Sequence, residues 1–335
     1  MAVNSGTSAL QIAIHGLGLE RGAEVILPSF SFAALLNVIL QEGLRPKFVD
    51  IDPETYNTTP ELVAAAITER TRLIIAVHTF GVPVNGESVF RVIERSRTKR
   101  PRHRIHFIED ACEALGAEVY GRKAGSLGDA GMFAFYPNKQ ITTGEGGVLI
   151  TSNHELATRA RRLRNQGRDP ECEWYQHSEV GFSYRLSDIN CALGISQLTR
   201  IENIVVRRQK LAELYDRGLA NIAEIQRPSL ACEHGRISWF VYPVRLHEDF
   251  TRSHRDWICQ SLCRKGVATG KYFAPLHRQP VLTTHNVRSS NSLVHTEAMA
   301  DRVIALPFFN ELSQLEIQEV CGALEESIRE LRRKM

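Results

Sequence analysis

The 335-residue sequence has no long apolar run and no recognisable export signal. Its longest largely apolar run, residues 33–40, is far shorter than the ~20 residues that a membrane-spanning helix needs. The first residues do not combine a basic segment with a following apolar one, the pattern of a secretory signal. We therefore expect neither a membrane protein nor a secreted one.

Paired cysteines are also missing. The seven cysteines are an odd number, and no pair of them is spaced like the ligands of a zinc site. Cys259 and Cys263 would share one face of a helix, but no second pair or histidine cluster follows them. Free thiols in a reducing compartment are the expected state, which favours a cytoplasmic protein without a metal site.

A strong excess of charge of one sign is absent as well. Lys and Arg number 41 against 38 Asp and Glu, so the net charge is only +3, and the basic residues are scattered. This distribution argues against a nucleic-acid-binding protein. The content of 43% hydrophobic and 24% charged residues is that of an ordinary globular protein, and the length favours two domains.

Short apolar segments alternate with helical periodicity from residue 5 to about 150. The pattern predicts strands at 24–27, 47–50, 73–78 and 105–110, and helices at 8–18, 31–41, 60–69 and 86–97. Such alternation indicates an α/β fold with a mostly parallel sheet that is buried on both faces. Ligands bind at the carboxyl ends of such strands, where His78 and Asp110 fall.

The second half of the chain predicts a smaller domain. Helical periodicity is expected at 154–168, 187–222, 252–265 and 311–333, with a strand that starts at Ser238 and a loop region at 274–292. Pro228 and Ser229 interrupt the pattern. We assign residues 1–205 to a large domain, 206–235 to a linking helix and boundary, and 236–335 to a small C-terminal α+β domain.

One lysine lies between an apolar strand and a glycine-rich turn. Lys139 follows Phe133–Pro137 and precedes Gly144–Gly147, Asp110 ends an earlier strand, and Ser5–Ser8 opens the first helix. Chemistry with pyridoxal phosphate (PLP) needs an amine, an anion for the pyridine nitrogen and a phosphate cradle. These three features could supply them in that order, since free N–H groups at a helix N-terminus attract a phosphate.

Each of these features has an ordinary structural explanation when taken alone. The Ser-Gly-Thr-Ser run could simply cap a helix, and Asp110 could be a solvated loop carboxylate or the cap of the helix that follows. Lys139 alone would be a surface lysine, and the glycine-rich segment alone would be a tight turn. The order of the features along one α/β chain strengthens the joint interpretation.

The sequence resembles the DegT/StrS-type sugar aminotransferases of PLP fold type I over nearly its whole length. The blocks that carry this resemblance are residues 4–10, 109–117, 125–129, 133–147, 181–188, 197–198, 272–277 and 306–307. The resemblance implies an aspartate aminotransferase-like large domain and a smaller C-terminal domain. It also implies PLP as the cofactor and a homodimer with shared active sites, in which residues 181–185 reach the neighbouring site.

The resemblance also implies roles for individual residues. Lys139 would form the Schiff base with the cofactor, and Asp110 would pair with its pyridine nitrogen. Thr7, with the backbone of Gly6 and Ser8, would bind phosphate. Phe32 would stack on the ring, although a core aromatic is the alternative for this residue. The proposed substrate-binding residues are His78, Arg185, Tyr272 and His277.

Three positions depart from the family pattern. Ser183 replaces a frequent Asn and Ala134 replaces a frequent Ser, and both positions bind phosphate in relatives. Phosphate binding could therefore shift to Tyr136, Asn138 or water. Glu113 stands where Gln or His commonly faces the cofactor ring, and its carboxylate would repel the ring phenolate unless it is protonated or paired.

The sequence thus predicts a PLP-dependent aminotransferase. It would move an amino group from glutamate or glutamine to a nucleotide-linked keto sugar in polysaccharide, O-antigen or secondary-metabolite sugar biosynthesis. Lys139 in place of His argues against the dehydratase branch of the family. Relatives usually carry a few tens of residues before the Ser-Gly-Thr block. The alternative is therefore a catalytically impaired, N-terminally truncated homologue that acts as a PLP-binding or regulatory dimer.

Overall fold

The computed structural model describes residues 1–99, 104–169, 173–285 and 293–335. The strands of the first half are β1 (Ala2–Val3), β2 (Glu24–Pro28), β3 (Arg45–Val49), β4 (Thr71–Val77), β5 (His106–Asp110), β6 (Glu118–Val119), β7 (Arg122–Lys123), β8 (Ala130–Ala134) and β9 (Gly147–Ile150). The helices of this half are α1 (Gly6–Leu17), α2 (Ala33–Gln41), α3 (Pro60–Ala66), α4 (Gly86–Lys99) and α5 (His154–Arg164), with a 3₁₀ turn at Thr79–Gly81.

A seven-stranded sheet in the order β1-β9-β8-β5-β4-β2-β3 forms the centre of this half. The pairs from β3 to β8 are parallel, and β9 pairs antiparallel with both β8 and β1. Within β2, Val25 and Leu27 join one apolar cluster, whereas Ile26 joins another on the opposite face. This alternation confirms the predicted α/β sheet that is buried on both faces.

The second half is built around a smaller antiparallel sheet. Its helices are α6 (Asp188–Leu198), α7 (Ile201–Gly218), α8 (Arg252–Arg264), α9 (Val281–Thr284), α10 (Val294–Arg302) and α11 (Gln314–Arg332), with a 3₁₀ turn at Leu276–Arg278. Its strands are β10 (Ile225–Gln226), β11 (Gly235–Arg236), β12 (Tyr242–Leu246) and β13 (Val303–Leu306). The sheet β10-β12-β13 carries its own core, and β11 pairs with β6 in a third sheet, β11-β6-β7.

Helix α7 links the two halves. Ile201 and Ile204 near its start pack against a cluster of the first half, whereas Leu211, Ala212 and Tyr215 lie in the core of the second. We keep the division into a large domain (1–205), a boundary segment (206–235) and a small domain (236–335) as a proposal. No helix among the described residues is both long and apolar enough to cross a membrane.

Three predicted elements differ from the structure. The single helix predicted at 187–222 is two helices, because the helical conformation is interrupted at Thr199. The Thr199 hydroxyl donates to Ser196 O at 2.8 Å and so competes with the backbone hydrogen bonds of the helix. The strand expected from Ser238 begins only at Tyr242. The loop expected at 274–292 contains a 3₁₀ turn and α9, and its part at 286–292 lies outside the described residues.

Candidate active site

A cavity of about 320 Å³ opens at the carboxyl ends of the central strands, beside the N-terminus of α1. It lies where the parallel-sheet rule places a ligand. The cavity brings together seven of the residues expected at the site. They are Gly6, Thr7, Phe32, Asp110, Glu113, Lys139 and Tyr272.

Lys139 lies in a turn beyond β8, where its backbone N–H donates to Tyr136 O at 2.9 Å. The turn directs the side chain into the cavity, where only 14% of it is exposed. Its Nζ atom lies 3.6 Å from Glu113 Oε1 and 4.2 Å from the centroid of the Phe240 ring. The surface-lysine alternative is therefore excluded, and the amine sits between a carboxylate and an aromatic face.

Glu113 is held from two sides. Its Oε2 accepts the N–H of Phe80 at 2.9 Å, and its backbone carbonyl accepts a hydrogen bond from the Gln140 side chain. Burial raises the pKa of the Glu113 carboxyl, and the positive charge of Lys139 and the Phe80 N–H offset this only in part. The Glu113 carboxylate is therefore paired with Lys139, and pairing was one of the two conditions under which it would not repel a cofactor ring.

Asp110 is the last residue of β5 and lines the cavity. Its Oδ1 accepts the Cys112 N–H at 3.0 Å, so the residue caps a turn, whereas one alternative expected it to cap a helix. Its backbone carbonyl accepts the His78 N–H at 3.0 Å, which ties the ends of β4 and β5 together. Asp110 is thus a fixed anion on the cavity wall.

The start of α1 forms another part of the wall. The Ser5 side chain caps the helix by accepting the Ser8 N–H at 3.0 Å, and Ser8 Oγ donates to Asn4 Oδ1 at 2.6 Å. Ser8 is buried and is not among the residues that line the cavity, and its amide and hydroxyl donate within the helix start. Its role in phosphate binding stays a prediction.

Gly6 and Thr7 retain their donors. Within the described chain, the amide groups of these two residues have no hydrogen-bond acceptor, and both residues line the cavity. A Cβ atom at Gly6 would lie 2.8 Å from Ala134 Cβ and 3.0 Å from Cys112 Sγ, so only glycine fits there. Free N–H groups at a helix N-terminus suit a phosphate group.

Phe32 immediately precedes α2 and is 65% exposed on the cavity rim. That exposure excludes the alternative of a core aromatic, because core aromatics are buried. An exposed aromatic face beside a lysine and a carboxylate is suited to a flat heteroaromatic ligand. Phe32, Asp110, Lys139 and the free amides of α1 therefore fit the shape and charge of PLP.

The two histidines predicted to bind substrate have structural roles. His78 is fully buried; its Nδ1 accepts the Val84 N–H at 3.0 Å, so its Nε2 donates to Glu109 Oε1 at 3.2 Å. His277 lies between Ser29 Oγ, 2.7 Å from its Nδ1, and a Glu297 oxygen, 3.1 Å from its Nε2. Neither residue lines the cavity, and the ring nitrogens of both are hydrogen-bonded within the protein, so their substrate-binding roles stay predictions.

Ser183 and Arg185 lie on the surface outside this cavity. Arg185 donates from Nη2 to Ser183 Oγ at 3.0 Å and from Nη1 to Asn165 Oδ1 at 2.7 Å. Their expected contribution to the site of a neighbouring chain stays a prediction. Tyr272, in contrast, lies on the cavity wall of its own chain.

Phe80, Gln140 and Phe240 belong to the site but were not predicted. Phe80 and Gln140 position Glu113, and Phe240 covers one side of the Lys139 amine. The only local signal was that Phe240 lies in a run of aromatic and β-branched residues, which merely predicts a strand. Their roles depend on contacts between segments far apart in the chain.

A second cavity of about 650 Å³ lies between the segment 52–61 and the segment 228–239. It is larger than the first, but there is no lysine among its lining residues. Size alone does not identify a catalytic site. The smaller cavity is the candidate active site because its reactive groups converge.

Comparison with known proteins agrees with this geometry. Residues 1–325 match the model of the DegT/DnrJ/EryC1/StrS aminotransferase family. A GDP-perosamine synthase from Caulobacter vibrioides is 35% identical over 97% of this chain and 85% of its own length. The structure of the aminotransferase TlmJ from Streptoalloteichus hindustanus matches with a TM-score of 0.88 and 31% identity over 99% of this chain and 86% of its own.

A Streptococcus pneumoniae protein was solved in both a PLP form and a pyridoxamine phosphate (PMP) form. The PMP form matches with a TM-score of 0.92 and 26% identity over 99% of this chain and 87% of its own. The cofactor of this neighbour is therefore the one that the cavity fits.

Proposed function

The chain belongs to the DegT/DnrJ/EryC1/StrS family and is a PLP-dependent aminotransferase, and from that premise we propose that it transfers an amino group from glutamate or glutamine to a nucleotide-linked keto sugar. The observation that carries the proposal is the convergence of Lys139 and Asp110 on one cavity, beside the free amides of α1. An amine, a carboxylate and a phosphate-binding helix start are the groups that transamination requires.

Each wall of the cavity has a part in the proposed mechanism. When bound, PLP carries the amino group between donor and acceptor and withdraws electrons from the reacting substrate carbon. The amides of Gly6 and Thr7 would bind the phosphate, and the Asp110 carboxylate would accept a hydrogen bond from the protonated ring nitrogen. Phe32 would cover one face of the ring. The Lys139 amine moves the proton at the reacting substrate carbon.

The environment of Lys139 suits this proton transfer. The amine is almost enclosed, so water does not compete with it for the substrate proton. Glu113 Oε1, 3.6 Å away, stabilises the amine when it carries the proton. The Phe240 ring supports the same charged form from another side.

The substrate class follows from the relatives. Two of them, from Caulobacter vibrioides and Vibrio cholerae, are GDP-perosamine synthases, which supports a nucleotide-linked sugar as the amino acceptor. The aminated sugar would then enter polysaccharide, O-antigen or secondary-metabolite biosynthesis. A cytoplasmic location stays a prediction.

We also propose a homodimer. Helix α6 buries only Gly194, whereas its apolar side chains Ile189, Leu193, Ile195 and Leu198 are exposed. An exposed apolar face on a regular helix is typical of an interface. Ser183 and Arg185 lie just before this helix, so a second copy on that face would meet the segment expected to complete its site.

The test compares Lys139→Ala with Lys123→Ala, a lysine on the exposed strand β7. Purified wild type should be yellow and should lose that colour on addition of glutamate, as the amino group is transferred. A panel of nucleotide-linked keto sugars should then restore it. Lys139→Ala should neither lose colour with glutamate nor regain it with a keto sugar, and Lys123→Ala should behave like the wild type in both steps. Turnover by Lys139→Ala at the wild-type rate would overturn the proposal.

A further inference from the structure

We infer that Arg208 is a positioning residue for the reaction, which acts by holding the Phe240 ring against the Lys139 amine. Arg208 lies on α7, outside the cavity, and touches none of the residues that would contact substrate or cofactor except Phe240. The inference rests on the proposed function for its catalytic consequence. The positioning itself is a property of the protein without cofactor.

Arg208 is a buried cation without an anionic partner. Only 3% of it is exposed, and within the described residues no carboxylate pairs with it. Burial lowers the pKa of its guanidinium to about 10, which still leaves it charged at neutral pH. Burying a charged side chain is unfavourable unless its hydrogen-bond donors have acceptors. A buried arginine without a carboxylate partner is therefore expected to have a specific structural or functional role.

One side chain and two backbone carbonyls accept hydrogen bonds from its Nε and Nη1 atoms. Nη1 donates to Trp239 O and to Phe240 O, both at 3.1 Å, and Nε donates to Asn310 Oδ1 at 2.8 Å. The guanidinium carbon lies 5.3 Å from the centroid of the Phe308 ring. The planar guanidinium binds two successive backbone carbonyls at once. A lysine ammonium could also bind them, but its rotating N–H groups would fix their positions less well.

The segment 238–240 is held on its other side by the large domain. Ser238 N–H donates to Gly81 O at 3.0 Å, and Phe240 N–H donates to Phe80 O at 3.1 Å. The Gln140 side chain donates to Ser238 O at 2.9 Å. The segment therefore lies between Arg208 and the loop that also carries Lys139, and its position is set from both sides.

These contacts affect catalysis through the position of the Phe240 ring relative to the Lys139 amine. The two carbonyl contacts of Arg208 hold the backbone of Trp239 and Phe240 against α7, and the centroid of the Phe240 ring lies 4.2 Å from Lys139 Nζ. A ring at this distance stabilises the protonated amine and shields it from water. Arg208 thereby connects the linking helix α7 to the catalytic lysine.

Arg207 provides a matched control. It is the preceding residue on α7 and also donates to backbone carbonyls, to Asn310 O at 3.1 Å and Leu312 O at 2.9 Å. It makes no contact with Trp239 or Phe240 in the described structure. The test variants are Arg208→Lys and Arg208→Met, and the controls are Arg207→Lys and Arg207→Met.

The first measurement is made on cofactor-free protein. The rate at which acetic anhydride modifies Lys139, followed by peptide mass spectrometry and divided by the rate at exposed Lys123, reports how well the ring covers the amine. We expect Arg208→Lys and Phe240→Leu to raise this ratio about 2- to 30-fold, the range that corresponds to loss of a cation–ring contact. The Arg207 variants should leave it unchanged.

The second measurement separates positioning from general destabilisation. If Arg208 acts through Phe240, then adding Arg208→Lys to Phe240→Leu should change the ratio no further. In the holoenzyme, kcat should fall with little change in KM, because substrate contacts stay in place. Should the Arg208 variants fail to fold, Asn310→Ala, which removes only the Nε acceptor, should give a smaller change in the same direction.

Additive effects in the double variant, or equal ratios for Arg208→Lys and Arg207→Lys, would overturn the inference. These outcomes are independent of the proposed function, which fails only if Lys139→Ala still supports transamination. The cofactor-free assay therefore distinguishes a wrong assignment of Lys139 from a wrong role for Arg208.

Discussion

Glu113 Oε1 lies 3.6 Å from Lys139 Nζ, so the carboxylate that was expected to face a cofactor ring is paired with the lysine of the cavity. Its other oxygen accepts the N–H of Phe80, whose backbone adopts a left-handed conformation with φ of 58°. Non-glycine residues seldom adopt this conformation, and strained backbone of this kind concentrates at functional sites. The position of Glu113 is thus set by a locally unfavourable turn.

The pH dependence of stability tests the state of Glu113. Because burial raises its pKa above the ordinary value of 4.5, the folded protein holds this proton more tightly than the unfolded chain. Stability contributed by the protonated form is therefore lost as pH rises above that value. We expect Glu113→Gln, measured as melting temperature against pH in cofactor-free protein, to flatten this loss.

Glu118→Gln is the control for this measurement, because Glu118 pairs with a lysine at 2.6 Å on the protein surface. It should keep the wild-type pH dependence. An unchanged slope in Glu113→Gln would mean that folding does not raise the pKa of Glu113.

The close approach of two backbones at Gly81 predicts a large effect of a single methyl group. Gly81 has a φ of 91°, and a Cβ there would lie within 1.8 Å of Ser238 O. Gly81→Ala should lower the free energy of unfolding by at least about 3 kcal/mol, from strain and displaced backbone. Gly121→Ala, with a φ of 76° and open space around the added atom, should cost only about 1–2 kcal/mol. Urea unfolding measures both; equal losses would contradict the predicted clash.

Substitution of two neighbouring phenylalanines should affect different properties, stability for Phe30 and cofactor binding for Phe32. Phe30 is fully buried among aromatic side chains, so Phe30→Ala should lower stability by about 3–5 kcal/mol. Phe32 is exposed on the cavity rim, so Phe32→Ala should leave stability within about 0.5 kcal/mol. Phe32→Ala should instead weaken PLP binding about 2- to 10-fold, by loss of a stacking contact. A cofactor titration of both variants checks this, and unchanged affinity in Phe32→Ala would remove it from the site.

The buried pair of His78 and Glu109 should dominate stability near the site. Glu109 is buried, which by itself raises its pKa, but the hydrogen bond from His78 and those from the Leu127 and Gly128 amides outweigh this and lower it. The stability that it contributes is therefore present above 4.5 and lost as pH falls through the lowered pKa. Glu109→Gln should cost about 3–5 kcal/mol at neutral pH and should lose less stability on acidification.

Asp129→Asn is the matched control for Glu109→Gln. Asp129 also pairs with a histidine, His106, and accepts a backbone amide, but a quarter of its side chain is exposed. Its removal should cost only about 1–2 kcal/mol. A cost as large as that of Glu109→Gln would mean that burial is not the deciding factor.

The apolar face of α6 predicts the oligomeric state. Ile189, 83% exposed, should be buried against a second copy, so Ile189→Glu should weaken dimerisation at least about tenfold, since a buried unpaired charge is unfavourable. Leu315→Glu, at another exposed apolar position, should not. Sedimentation across a concentration series measures both. A wild-type protein that is monomeric at all concentrations would refute the proposed dimer.

Much of this protein was predictable because the relevant interactions are local. Alternating apolar segments identified the parallel sheet, since Val25 and Ile26 must face opposite sides of a strand. Ser5 was recognisable as a helix cap from its neighbours alone. Asp110 was placed at a strand end, and strand ends of a parallel sheet share one edge.

The tertiary structure decided which polar residues face the cavity. Glu109 and Asp110 are adjacent, yet one pairs with buried His78 and the other lines the cavity, because successive side chains on a strand point to opposite faces. The contacts of Lys139 with Phe240, and of Phe240 with Arg208, join segments that are distant in sequence. No local pattern encodes such contacts, because they depend on how the two halves of the chain pack.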